Sequence, residues 1–173
     1  MYKRKQRTKP QIISYDRVKS YMIWMIERYG DYSSKTLLQK ANLLFKDDTQ
    51  FNEKALNYLI EREVVDDLRY AKRLTRSYCE KNIGQNKIKT NLYQKGFTSE
   101  VISHCIEAIE TTESDYFEKA LTLKVRKFGA ESIIDIKLKQ KALRHLISKG
   151  FSYSIANKAV TYSNDESLES RNE

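Results

Sequence analysis

KGFTSEVISHCI at positions 95–106 and KGFSYSIANKAV at 149–160 spell one cadence twice, and FNEKALNYLI at 51–60 carries it a third time. Aligned on Phe51, Phe97 and Phe151, the three stretches place apolar or small residues at offsets 0, 4, 5, 8 and 9. That is the spacing of one face of a helix, not the alternation of a strand. The residue after each Phe is Asn52, Thr98 or Ser152, all side chains that accept a hydrogen bond from the free N–H groups of a starting helix. Each Phe then precedes the cap and pairs with Leu56, Ile102 or Ala156 one turn into the helix, which is a hydrophobic staple. Two of these entrances follow Lys95-Gly96 and Lys149-Gly150, where a left-handed glycine closes the helix before.

The other glycines extend the pattern. Gly30, Gly84 and Gly129 follow Tyr29, Ile83 and Phe128, each at the end of a run with large apolar residues three and four apart (residues 18–29, 70–83 and 116–128). Between each such Gly and the next Phe lies a further helical segment, at 35–45, 87–93 and 133–147. Three helices per unit and three units predict about nine helices, an all-α chain of tandem three-helix repeats forming an elongated, curved array. The boundaries expected are a basic, disordered arm at 1–13, repeats at 14–62, 63–110 and 111–163, and an acidic, disordered tail at 164–173. Pro10 is the only proline, so nothing interrupts helix beyond the arm.

The net charge of +9 suits a polyanionic partner, and its distribution follows the repeats. Residues 1–19 carry +6, 47–67 carry −5, 68–95 carry +7, 96–118 carry −6, 124–149 carry +6 and 164–173 carry −3. If equivalent helices stack on equivalent sides, the basic helices line up as one face that follows a phosphate backbone. The candidate contacts are Arg69, Lys72, Arg73, Arg76, Lys87, Lys89 and Lys95 in the second repeat, with Lys124, Arg126, Lys127, Lys137, Lys139, Lys141 and Arg144 in the third. Tyr70, Tyr78 and Tyr93 flank these cations; the first two fall on the apolar period and are expected to pack between helices, with base stacking as the other use. Trp24, with Met22, Met25 and Ile26, makes the first helix apolar nearly all round and is expected in the core.

Little argues for chemistry. His104 and His145 lie in different repeats and neither has a nearby acid or cysteine cluster at ligand spacing, so both read as surface or packing residues. Cys79 and Cys105 are expected as thiols. Asp66-Asp67 precedes a helix, where negative charge caps the N-terminus. The glycines are solitary, so no phosphate cradle exists. No enzyme, cofactor or metal is expected. No run of residues approaches a membrane span and no apolar block follows the basic arm, so a cytoplasmic monomer is expected.

The stretch DDLRYAKRLTRSYCEKNIGQNKIKTNLYQKGF at 66–97 resembles the signature of the RecX family of recombination regulators. The matching pieces are Asp66, Asp67, Arg69, Tyr70 and Ala71, then Gly84 and Ile88, then Leu92, Lys95 and Gly96. The three-repeat layout extends the likeness over residues 15–162. Two departures stand out. The first repeat has Thr36-Leu37 and Lys40-Ala41 where the family has Glu-Leu and Lys-Leu, and residues 46–50 form a longer polar link in place of a glycine. In the third repeat Tyr116, Phe117 and Ala120 stand in for the aromatic-Ala pair. The resemblance implies a non-enzymatic regulator, mainly an inhibitor, that binds the RecA–DNA filament groove and modulates strand exchange, ATPase and SOS coprotease activity. Single- and double-stranded DNA would meet the basic face. A general DNA-binding helical protein acting without RecA, and a helical-repeat adaptor between proteins, remain as alternatives.

Overall fold

The computed structural model describes residues 14–46, 49–109 and 112–162, and these form nine α-helices and no strand. The arm at 1–13 and the tail at 164–173 lie outside the described residues, as does part of the polar link. The chain divides into two compact units, Met1–Tyr70 and Ala71–Glu173.

In the first unit α1(Tyr15–Tyr29), α2(Ser34–Leu44) and α3(Thr49–Glu61) pack on one another pairwise. Ser14 starts α1 by accepting the Arg17 N–H, and Ser33 starts α2 by accepting that of Thr36. The core is Val18, Met22 and Met25 of α1, Leu37, Ala41 and Phe45 at α2, and Ala55, Leu56 and Leu59 of α3, closed by Val65. Two expectations fail here. Asn52 is not a cap: α3 already begins at Thr49, so Asn52 lies inside it, fully buried, and its Nδ2 donates to Asn42 Oδ1 (2.7 Å) and to the Phe45 carbonyl (3.1 Å). Without a Lys-Gly stop upstream, nothing fixes the entrance beside Phe51. Trp24 is not core either. It is 50% exposed, because the buried stripe of α1 runs through residues 18, 22 and 25, and Trp24 instead meets the rings of Tyr21 and Tyr29.

The paired carboxylates do cap helices, but not the same one. Asp66 accepts the Arg69 N–H (2.8 Å) at the start of α4(Asp67–Glu80). Asp67 reaches across to the start of α2, where its two oxygens accept from the Ser34 N–H (2.7 Å) and the Ser34 hydroxyl (2.6 Å). One carboxylate thereby neutralises the positive end of a helix 33 residues away in sequence.

The second unit takes α4 from Ala71 onward, then α5(Gln85–Gln94), α6(Ser99–Glu107), α7(Glu113–Phe128), α8(Ile136–Ser148) and α9(Tyr153–Thr161). Helix α5 packs on α6, and α7, α8 and α9 pack on one another. The two Lys-Gly-Phe stretches form the same joint. Gly96 and Gly150 sit at φ 87° and 96°, their N–H groups returning to Tyr93 and Ile147, while Phe97 and Phe151 N–H groups return to Leu92 and Leu146. This is a Schellman closure with its apolar contact between the residue after the glycine and the last helical turn. Thr98 and Ser152 then cap the next helices by accepting the Val101 and Ile155 N–H groups. Both phenylalanines and their staple partners Ile102 and Ala156 are buried, at about 1.5–3 kcal/mol for each large side chain. In the third repeat they join Ala120, Leu123, Ile133, Ala142, Leu146, Ala159 and Val160 in one core.

Gly84 departs from its expected role as a helix stop. Helix α4 ends at Glu80, Asn82 takes the left-handed turn (φ 52°), and Gly84 has the ordinary φ of −70° of an N-cap to α5. Its lack of a side chain matters for another reason: a Cβ there would collide with the backbone of Gly150 and Phe151. The Gly84 N–H donates to the Lys149 carbonyl (2.8 Å) and the Asn86 N–H to that of Gly150 (3.1 Å). The end of α8 thus caps the start of α5.

Lys124 also departs from its expected place on the basic face. It is fully buried, and its ammonium donates to the carbonyls of Ala130 (2.8 Å), Glu131 (2.6 Å) and Tyr162 (3.4 Å). Burial pushes its pKa down, and only the Glu131 charge opposes this. The cation closes the turn after α7 and holds the end of α9.

Gly84→Ala should lower the melting temperature more than Gly129→Ala does, although Gly129 has φ 93° and Gly84 does not, because a Cβ at Gly129 meets open space; circular dichroism on both variants decides it. Lys124→Met leaves three carbonyls without their donor and should cost roughly 1–3 kcal/mol of stability in denaturant titrations.

Candidate nucleic-acid interface

Of the fourteen cations singled out in the sequence, Lys124 is buried, Lys139 is half-buried and the other twelve are exposed. Arg69 belongs to the first unit, where its guanidinium donates to the Glu63 carbonyl (2.9 Å). Lys72, Arg73 and Arg76 share a face of α4, while Ala71 and Thr75 turn inward. Tyr70 is buried and Tyr78 half-buried, as packing requires. On α5, Ile88 and Leu92 are buried, which leaves Lys87, Lys89 and Lys95 in solvent together with Tyr93, 70% exposed one turn beyond Lys89. On α8, Lys137, Lys141 and Arg144 stand at i, i+4 and i+7 and form an exposed stripe opposite buried Ala142 and Leu146.

The structure draws several of these groups together at the end of α8. Arg126 and Lys127 lie in the last turn of α7, where the helix dipole favours positive charge. That turn lies against His145 of α8: the Phe128 ring meets the imidazole edge to face at 5.8 Å, and the Lys127 ammonium is 3.2 Å from His145 Nδ1. Four residues on, Lys149 contributes a further ammonium while its carbonyl caps α5. Lys87 stands at the same junction, its Cβ among the atoms that a side chain at Gly150 would strike. Burial, then the charges of Lys127, Lys149 and Arg126, push the His145 pKa down. The ring is therefore neutral at pH 7, and its Nδ1 accepts from Lys127.

Two members of this cluster are not legible as such in the sequence. Lys149 reads there as part of a Lys-Gly stop, and His145 as a surface or packing residue. The available signal is spacing, since residues 145 and 149 are one turn apart inside the basic block 124–149. Around the entrance to α8 three apolar side chains that the sequence does not single out reach solvent: Ile134 is 89% exposed, Ile136 72% and Leu138 40%. Ile134 and Ile136 are the most exposed of them and flank the first turn of α8, beside Lys137 in sequence. No helix of the described residues is long and apolar enough to cross a membrane.

The arrangement presents several cations on short helices, one exposed tyrosine beside them and exposed apolar residues at the entrance to α8. Comparison with known proteins gives it a family. Residues 66–106 match the model of the second three-helix domain of RecX, and residues 113–160 that of the third. The chain is 32% identical over 130 residues to the regulatory protein RecX of Acinetobacter baylyi, covering 75% of this chain and 78% of that one. Against the regulatory protein RecX of Vibrio campbellii it is 28% identical over 136 residues, 79% of this chain and 85% of the other. The crystal structure of RecX from Lactobacillus salivarius superposes with a TM-score of 0.69 at 21% identity, over 84% of this chain and 94% of that chain. With two of its three repeats matched in sequence and its helical architecture shared, this chain belongs to the RecX family of regulatory proteins.

Proposed function

We propose that this chain regulates the RecA recombinase by lodging in the groove of the RecA–DNA filament, where it restrains strand exchange, ATP turnover and SOS coprotease activity. It acts in the cytoplasm as a monomer and without a catalytic step of its own. The observation that carries this reading is the convergence of Arg126, Lys127 and Lys149 on His145 where α7 meets α8, with the backbone of Lys87 at the adjoining start of α5, on a chain whose relatives are named regulatory proteins. Phosphates released from their counterions bind such a cluster without regard to sequence, which suits a protein that meets any DNA coated by recombinase. The exposed Ile134 and Ile136 at the entrance to α8 support a protein contact in addition, since DNA binding alone leaves them without a use.

A plain DNA-binding protein would share the cations but not depend on Ile134 and Ile136. The discriminating measurement is RecA ATPase on single-stranded DNA with this protein at substoichiometric amounts. Inhibition at ratios too low to coat the DNA supports the filament reading, and inhibition only at saturation favours the DNA-binding alternative. No effect at any ratio favours an adaptor.

Two variants separate the two surfaces. Lys141→Glu with Arg144→Glu should weaken single-stranded DNA binding about tenfold at low salt and flatten the plot of log affinity against log salt by about 0.7 for each phosphate no longer neutralised, as read by fluorescence anisotropy. Ile134→Ser with Ile136→Ser, which adds no charge, should leave that affinity within about twofold, because neither side chain contacts phosphate, yet abolish substoichiometric inhibition of RecA.

A further inference from the structure

At the heart of the basic cluster sits a group with no positive charge of its own. His145 is half-buried between α7 and the last turn of α8, against the Phe128 ring, with its Nδ1 held at 3.2 Å by the Lys127 ammonium. The charged groups that act on it come from both elements: Arg126 and Lys127 from α7, Lys149 from the end of α8 itself. A neutral imidazole surrounded by three cations is suppressed, not inert. It becomes a further cation once something negative offsets its neighbours.

We propose that His145 is a phosphate-gated contact: a DNA phosphodiester seated among Arg126, Lys127 and Lys149 draws the Lys127 ammonium off Nδ1, and the freed ring takes up a proton and donates to a phosphate oxygen. This rests on the interface reading above and adds the regulation of that interface. The phosphodiester stays anionic throughout, so the only exchange is one proton from water to the ring. In the free protein Nδ1 can only accept, whereas the imidazolium donates from both nitrogens. Burial still opposes the charged ring, but the repulsion from three neighbours becomes attraction to an anion. By linkage, DNA raises the pKa of His145 and acid tightens DNA binding by the same factor. If DNA makes the ring about ten times harder to deprotonate, acid strengthens DNA binding about tenfold once the pH is below both pKa values. For the free chain the sign is opposite. With its pKa depressed, the ring keeps the fold fully stable above the unfolded value near 6.5, and stability declines as pH falls from there through the lower folded value.

The test uses the full chain, which has only two histidines, so each imidazole signal can be assigned by one substitution. The His145 resonance is titrated by NMR with and without a short oligothymidylate, and the exposed His104 on α6 reports any change common to the whole chain. The expected result is a His145 titration that moves up with DNA, and that moves up without DNA in Lys127→Ala. Affinity at constant ionic strength should rise at least about threefold between pH of about 7.5 and about 5.8 in the native chain, and by less than about twofold in His145→Gln. If the oligonucleotide binds but leaves the His145 titration where it was, the phosphate gate is wrong and the interface reading stands. If the oligonucleotide fails to bind at either pH, both fall.

Discussion

Two backbone hydrogen bonds, from Gly84 N–H to the Lys149 carbonyl and from Asn86 N–H to that of Gly150, fasten the second repeat to the third. A helix ends with carbonyls that lack donors, and the next begins with N–H groups that lack acceptors. Here the surplus of α8 meets the deficit of α5, so neither end needs a polar side chain; Gly84 offers none. The dipoles assist, since the negative end of one helix faces the positive end of the other. Such an approach leaves no room for a Cβ on either glycine. Helices α5 and α8 are thereby fixed end to start, and with them the lysines they carry.

That junction explains how so many positive groups occupy one region of a folded protein. Arg126, Lys127 and Lys149 lie at or next to the C-terminal ends of α7 and α8, where unpaired carbonyls lower the cost of positive charge. His145 stays neutral among them and accepts from Lys127, so the free molecule carries one repulsive charge fewer. Lys124 shows what happens three residues earlier. Helix α7 stops at Phe128 and the chain folds back, so the carbonyls of Ala130 and Glu131 enclose that ammonium completely. The same residue type is an exposed cation at 127 and an internal fastener at 124.

The first unit is held differently. It has no Lys-Gly-Phe joint before α3, and its interior relies on side chains instead: Asn52 binds α2 through Asn42 and the Phe45 carbonyl, and Asp67 anchors the start of α2. These side-chain bonds, spanning seven to 33 residues, tie α2 to α3 and to the start of α4, where no Lys-Gly-Phe joint does so. Trp24 and Tyr29 turn outward, because the narrow stripe of Val18, Met22 and Met25 already fills the space facing α3.

The helices, the repeat and the joints at Gly96 and Gly150 can be read directly from the order of residues, because caps, staples and left-handed glycines act over a handful of neighbours. The basic blocks can be read the same way. Folding was needed to settle which cations face solvent, what Asp67 and Asn52 bind, why Gly84 is a glycine, and that His145 lies within the cluster. Each of these depends on groups brought close from distant positions, and helical period names the side of a helix a residue occupies, not what stands opposite it.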